Sequence, residues 1–347
     1  MQKNSQMTNA RQLYETLRKD IANGTYPTDS KLPSIRILAD KYDLCTNTVN
    51  TAIAMLVNEG IVTVRKGSGS YVTRVPKKSR MIGVLMFDFI SSTRVDSAIL
   101  EAIQKNLPDD YYFSLVNTYN NYDAFCDSLE HLLDAGAAGL LLVPPTQLPT
   151  DPTRIQSLLR QIPTVFINRG IPGVETDIYS MDLYRGTLEA LEYLYTTGKR
   201  KTLIIPHNSE KFATEQLSAC EQYTKQYHLP QESIVVMPME GTFEELYDKV
   251  AALSGQFDSF ITSDNILVQM TDIFTQRNIA IPSELSLVGI NDTLLSRIHN
   301  PPLTSIAFPA KQVGKNAVIR LVERIEGRYE SSGKLHNYKP DFIIRKT

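Results

Sequence analysis

Near its start, the chain's hydrophobic positions recur at helical spacing and then switch to alternation. Leu13, Tyr14, Leu17 and Ile21 mark one face of a helix that stops at Asn23-Gly24. Pro33-Ser34 opens a second helix, with Ser34 as N-cap, Leu38, Ala39 and Tyr42 on the buried face, and a turn at Asp43. Thr46 is expected to cap a third helix, whose stripe is Val49, Ala52, Ile53 and Leu56 and whose end is Glu59-Gly60. Two β-rich runs, Ile61 to Val64 and Ser70 to Thr73, flank Arg65-Lys66-Gly67-Ser68-Gly69, which reads as a hairpin with a basic, glycine-rich tip.

Residues 74–80 break all periodicity with a proline and four cations, placing a linker at 76–80 between a domain of 1–75 and one of 81–347. Beyond it, β-branched runs at 81–87, 111–117, 138–143, 164–168, 178–181, 202–206, 233–237, 259–263 and 286–290 alternate with amphipathic segments such as Leu183 to Thr197 and Phe243 to Leu253. This alternation predicts an α/β body of parallel sheets covered on both faces. With about nine to eleven strands, two doubly wound lobes fit better than one sheet. The first is drawn at 81–177 and 307–332, the second at 178–306 and 333–347. Ligands of such sheets bind at the carboxyl ends of strands.

A length of 347 residues suits two or three domains. No run is long enough for a membrane helix and the polar start lacks the apolar core of a signal, so a cytoplasmic protein without membrane contact is expected. Cys45, Cys126 and Cys220 stand far apart and read as reduced structural thiols, with no metal site. The net charge of −2 hides an asymmetry: residues 1–80 carry 13 Lys+Arg against 6 Asp+Glu, leaving 23 against 32 for the rest. A basic head suits a polyanion; the acidic body does not.

Leu32-Pro33-Ser34-Ile35-Arg36-Ile37-Leu38-Ala39, Thr48-Val49, Glu59-Gly60-Ile61 and Gly67-Ser68-Gly69-Ser70-Tyr71-Val72 resemble the winged helix-turn-helix of the GntR family of bacterial regulators. The resemblance implies double-stranded operator DNA as partner, with Arg36, Lys66 and Gly67 at the family's contact positions. A third helix in the major groove and a wing on the backbone fit the same reading physically. Where the family carries arginines around the Thr-Val pair, this chain has Thr46 and Asn50, with Asn47 and Thr48 between. Amides favour adenine where guanidinium favours guanine, so an A·T-rich half-site is expected. One head reads half a site, which calls for a homodimer.

Gly139-Leu140-Leu141-Leu142-Val143-Pro144, Ile162 to Arg169, Pro282 to Asp292 and Pro302 to Ile306 are similar to the effector domain of the LacI family, itself similar to periplasmic sugar-binding proteins. This resemblance implies a cleft that closes on a small polar metabolite, and a repressor of carbohydrate use; an activator is the alternative. The strand ends offer Asp88, Phe89, Asn168, Arg169, Asp182, His207, Asp264, Asn291 and Asp292. Asp264 matches the family's binding aspartate, Asn291 stands where aspartate is frequent, and Gln216 stands where the family has an arginine. A neutral amide there argues against a charged ligand and for a neutral sugar, with a nucleoside as the alternative. An aspartate after a strand serves equally to cap the next helix.

An enzyme is not expected. The first body strand, Ile82-Gly83-Val84-Leu85-Met86-Phe87-Asp88-Phe89, lacks the G-x-G-x-x-G of a nicotinamide site, and no P-loop, G-x-S-x-G or metal-spaced His pair occurs. The aminotransferase-like body of some GntR relatives is longer and needs a cofactor lysine, so no cofactor is expected.

Overall fold

The computed structural model describes residues 2–74, 80–87, 95–207, 209–238 and 241–347, with only the backbone for residues 2–8. It divides into two units at Ser79–Arg80. The expected linker lies, but for Arg80, outside the described residues.

In the first unit three helices, α1 (Gln2–Ala22), α2 (Ile35–Tyr42) and α3 (Thr46–Asn58), turn their apolar stripes inward. Leu13, Leu17, Ile21, Leu38, Val49, Ile53 and Leu56 form one core with Ile61, Val62 and Val72 of the hairpin. Ser34 caps α2 as expected, its Oγ accepting from Ile37 N at 3.3 Å, and Asp43 ends that helix in left-handed backbone. The hairpin pairs β1 (Val62–Arg65) with β2 (Gly69–Val72), Arg65 opposite Gly69. A third extended segment lies along β2: Asp29 N donates to Val72 O, Val72 N to Ser30 O and Leu32 N to Ser70 O, all at 2.8–2.9 Å. Four residues beside two prolines are too few to show a period, so this edge has no signal in the sequence pattern.

The second unit alternates strands and helices twice over. Its first half runs β3 (Met81–Met86), α4 (Asp96–Asn106), β4 (Tyr112–Asn117), α5 (Tyr122–Asp134), β5 (Gly139–Leu142), α6 (Thr153–Leu159), β6 (Thr164–Ile167) and β7 (Ile178–Met181). Then follow α7 (Leu183–Thr196), β8 (Thr202–Ile204), α8 (Glu210–Gln226), β9 (Ile234–Val236), α9 (Phe243–Leu253), β10 (Ser259–Ile261), α10 (Asp264–Gln276), β11 (Ser286–Asn291), α11 (Leu294–Ile298) and β12 (Thr304–Ala307). The chain finishes with α12 (Ala310–Ile325), β13 (Leu335–Tyr338) and β14 (Asp341–Ile343).

The two sheets have orders β4-β3-β5-β6-β7-β13 and β9-β8-β10-β11-β12-β14. Each is a doubly wound 2-1-3-4-5 arrangement with a sixth edge strand supplied from the end of the chain. Every strand pair in the first is parallel, and in the second only β14 runs antiparallel. Strand residues alternate between two buried faces. Ile82, Val84, Val165 and Ile167 pack with α4 and α12, whereas Leu85, Leu140, Leu142 and Phe166 pack with Phe125, Leu129 and Ile155 on the other side. Burial on both faces explains why these strands read as unbroken apolar runs.

The chain passes between the lobes after β7, after β12 and after β13. The lobe limits drawn from sequence therefore need correction: 178–181 and 335–338 belong to the first sheet. The run 178–181 flows into the helix at Leu183 without a turn signal, so it reads as the opening of the next lobe. Pairing of Ile178 with Phe166 and with Leu335 decides otherwise.

Where β7, β13 and α12 meet, Asp177 is wholly buried. Its Oδ2 accepts from Arg324 Nη2 at 2.6 Å and Nε at 3.1 Å, and its Oδ1 from His336 Nε2 at 2.8 Å. His336 in turn stacks on Tyr179 with centroids 4.4 Å apart. Burial pushes the Asp177 carboxyl up, but His336 and Arg324 outweigh it and hold the group below its ordinary value. Its stabilising contribution is thus complete above the unfolded carboxyl's range and is lost as pH falls through the lowered folded value. Asp177→Ala is expected to cost about 3–5 kcal/mol at neutral pH by stranding Arg324. Urea unfolding should show the gap between wild type and variant closing in strong acid; an equal gap at both extremes would refute the assignment.

Candidate functional site

The first turn of α3 presents Thr46, Asn47 and Asn50 to solvent. Thr46 is not the cap: Cys45 holds that place and makes no side-chain capping bond, so Thr46 is the first helical residue. Thr48 also departs from expectation. It is buried, with its Oγ1 3.1 Å from Cys45 Sγ, because it shares the inward face with Val49 and Ala52. A side chain so placed does not reach a base edge. Arg36, Lys66 and Gly67 are all exposed.

The wing is braced from within. Gly67 (φ 74°) takes the left-handed backbone that the tip requires. Arg65 lies over the Tyr71 ring at 4.4 Å, and Tyr71 OH is 2.7 Å from Ser68 Oγ. Lys31 crosses beside Gly69, a β-carbon on which would sit 2.8 Å from Lys31 Cε. Lys31 thus joins Arg65 and Lys66 at the wing, a cation missed because its approach runs through a segment distant in sequence.

In the second unit the carboxyl ends of both sheets open on one cleft of about 390 Å³. The first lobe contributes Phe87 after β3, Val143 and Thr146 after β5, and Asn168 and Arg169 after β6. From the second come His207 after β8, Ser263, Asn265 and Gln269 around the start of α10, and Asn291 and Thr293 at the end of β11. Phe212, Phe243 and Phe308 add apolar wall.

Asn168 and Asn291 occupy matching places, at the ends of the fourth strand of each sheet, and both have positive φ, 71° and 100°. Asparagine tolerates that backbone better than most residues. Asn168 Oδ1 is buried without a hydrogen-bond partner among the described residues. Arg169 Nε donates to Pro145 O at 3.2 Å and its Nη2 to Pro144 O, which pins the guanidinium to the lobe. His207 Nδ1 accepts from Ser209 N at 3.0 Å. Asp96, in the first turn of α4, is a buried carboxylate on the wall. Asp88 and Phe89 lie outside the described residues.

Residues 9–72 match the model of bacterial regulatory proteins of the gntR family, and residues 191–347 match the periplasmic binding protein-like domain. The chain joins a GntR DNA-binding domain to a periplasmic-binding-protein-like body. An arabinose metabolism transcriptional repressor of Geobacillus stearothermophilus is 22% identical over 97% of this chain and 96% of its own. The HTH-type transcriptional repressor PurR of Vibrio parahaemolyticus is 24% identical over 78% of this chain and 81% of its own. A periplasmic binding protein/LacI transcriptional regulator from Alkaliphilus metalliredigens, solved with D-xylulofuranose, superposes with TM-score 0.65 at 18% identity. It covers 78% of this chain and 99% of its own.

Two of the expected contacts fall behind the cleft wall. Gln216 is fully buried in α8, its Oε1 accepting from His207 N at 2.8 Å, so it supports the His207 turn. Asp264 is likewise buried. Its Oδ2 accepts from Thr293 N at 2.6 Å and its Oδ1 from Ser305 Oγ at 2.9 Å. These bonds hold the 291–293 turn that presents Asn291 and Thr293. Asp182 caps α7 through Arg185 N, and Asp292 pairs with Arg297 and Arg345, so neither lines the cleft. Sequence reasoning missed Asp96, Thr146, Asn265, Gln269 and Phe243. The Asn265/Gln269 spacing, polar i,i+4 on an apolar helix, was the available signal.

Burial raises the Asp264 carboxyl to about 6. A folded value above the unfolded one means that protonation favours the folded state, so this group's contribution becomes more favourable as pH falls from about 6 towards 4. Gly289 leaves it room: a β-carbon there would lie 2.0 Å from Asp264 Oδ1. Gly289→Ala is expected to destabilise the protein by about 1–3 kcal/mol through overpacking. It should also flatten that pH dependence in thermal unfolding; a variant indistinguishable from wild type would show that the carboxylate yields freely.

Proposed function

We propose that this regulator represses a carbohydrate-utilisation operon, and that a small neutral sugar in the interlobe cleft changes its operator affinity. The observation that carries the reading is a cleft walled by amides and hydroxyls from both lobes, over apolar rings, in a chain whose other unit is a GntR domain. Each sugar hydroxyl both donates and accepts, and amides can meet both demands. The likeness to an arabinose metabolism repressor and to a regulator solved with D-xylulofuranose supports a sugar. Four phenylalanines also suit a base, so a nucleoside is the second reading.

The ligand set is Asn168, Arg169, His207 and Asn291, with Phe87 in the apolar wall. Ligand closure of the lobes alters how two copies present their heads, a coupling of about 1–3 kcal/mol. The regulator acts in the cytoplasm as a homodimer on a palindromic operator. Operator position relative to the promoter separates repressor from activator.

Asn168→Gly and Asn291→Gly keep the left-handed backbone and remove the amide. Each is expected to weaken binding of the cognate monosaccharide about ten-fold, measured by calorimetry on an arabinose, xylulose, ribose and adenosine panel. Insensitivity of both variants would empty the cleft of its role.

On DNA, Arg36, Lys66 and the Gly67 main chain meet phosphates while Asn47 and Asn50 read adenines, with Thr46 alongside. Lys66→Ala should weaken all sequences alike and reduce the salt slope by about 1, whereas Asn50→Ala should cost about 1–3 kcal/mol and relax one base position. Anisotropy over a salt series on selected duplexes checks both; a G·C core beneath α3 would refute the amide readout.

A further inference from the structure

A second cavity, of about 310 Å³, lies in the second lobe at the opposite ends of its strands from the cleft. It is bounded by the end of α7, the start of β8 and the segment leading into β9. Its walls are apolar and aromatic: Leu191, Tyr195, Tyr223, Leu229, Pro230 and Ile234. Along one side stand three successive cations, Lys199, Arg200 and Lys201.

These cations have no carboxylate within ion-pair distance among the described residues, although residues 81–347 hold more acidic than basic side chains. The acids close by are committed elsewhere. Asp258 accepts the main-chain N–H groups of Arg200 and Lys201 at 2.7 and 3.0 Å, and Glu192 accepts from the hydroxyls of Tyr223 and Tyr227. Glu232 is the one carboxylate on the wall.

Lys199 and Arg200 are instead oriented by neutral groups. Lys199 Nζ donates to the carbonyls of Pro282 and Ser283 at 2.9 and 3.0 Å. Arg200 stacks over Tyr195 at 4.0 Å, and its Nη1 donates to the carbonyls of Tyr195 and Lys199. That arrangement fixes the guanidinium plane and leaves Nε and Nη2 without a protein acceptor among the described residues. Lys201 Nζ has no hydrogen bond to those residues. Holding cations in place by carbonyls and a ring, without neutralising them, prepares charge-assisted bonds to an incoming anion.

We infer that this cavity is a second ligand site, which takes a phosphorylated metabolite with an aromatic body, such as a nucleoside monophosphate. The phosphate meets Arg200 and Lys201, and the base lies against Leu229, Pro230 and Ile234. The site is independent of the sugar reading, since it shares no lining residue with the cleft.

Calorimetry on the full chain at low ionic strength tests this, with adenosine monophosphate, ribose 5-phosphate and inorganic phosphate as probes. The nucleotide should bind best. Arg200→Gln/Lys201→Gln should weaken it ten-fold or more. Asn291→Gly should leave nucleotide binding unchanged. Lys201→Gln alone breaks no bond within the described residues and should still lower affinity several-fold, which covers misfolding of the double variant. Absence of nucleotide binding overturns the inference. So does loss of binding in Asn291→Gly with retention in the double variant, which would move the ligand to the cleft. Equal affinity for bare phosphate would overturn the proposed ligand class.

Discussion

A parallel sheet must be buried on both faces, and the rest of this structure follows from that constraint. Strands that run the same way need a helix between them, so each lobe becomes a stack of βα units with the carboxyl ends of all strands but β14 at one edge. Two such edges open on the same cleft, and Asn168 and Asn291 stand at equivalent strand ends within it. The cleft is thus a consequence of strand direction, and the residues that follow each strand decide its lining.

Because the chain passes between the lobes three times, motion of one against the other is confined to short connections: 182, 308–309 and 339–340. The edge strands β13 and β14 come from the chain's end and tie to opposite lobes. Asp177 locks β13 to α12 and β7, while Thr347 Oγ1 donates to Leu287 O and accepts from Thr304 N beside β11 and β12. Two lobes joined only by short connections have the build that permits one to turn against the other.

Two buried carboxylates show how environment sets the sign of an electrostatic effect. Asp177 meets a guanidinium and an imidazole, and its carboxyl is held low; Asp264 meets a hydroxyl and a main-chain N–H, and burial prevails. The first ties strands together. Asp264 shapes the turn that carries cleft residues, a support role that its position after a strand does not distinguish from ligand contact.

Local pattern was enough for the architecture. Helical stripes at Leu13–Ile21 and Val49–Leu56, the Ser34 cap, the wing glycines and the alternation of strands with helices depend on neighbours within a few residues, and they were legible. The exposed face at the start of α3 was legible in part, since Thr48 falls on the inward face set by Val49 and Ala52. What tertiary structure alone decided was which lobe owns 178–181 and 335–338, and which polar groups face the cleft. Asp264 is withdrawn by partners 29 and 41 residues away, and strand pairing places Leu335 against Ile178. Contacts at such separation leave no period in a sequence, because the chain between them is free to vary.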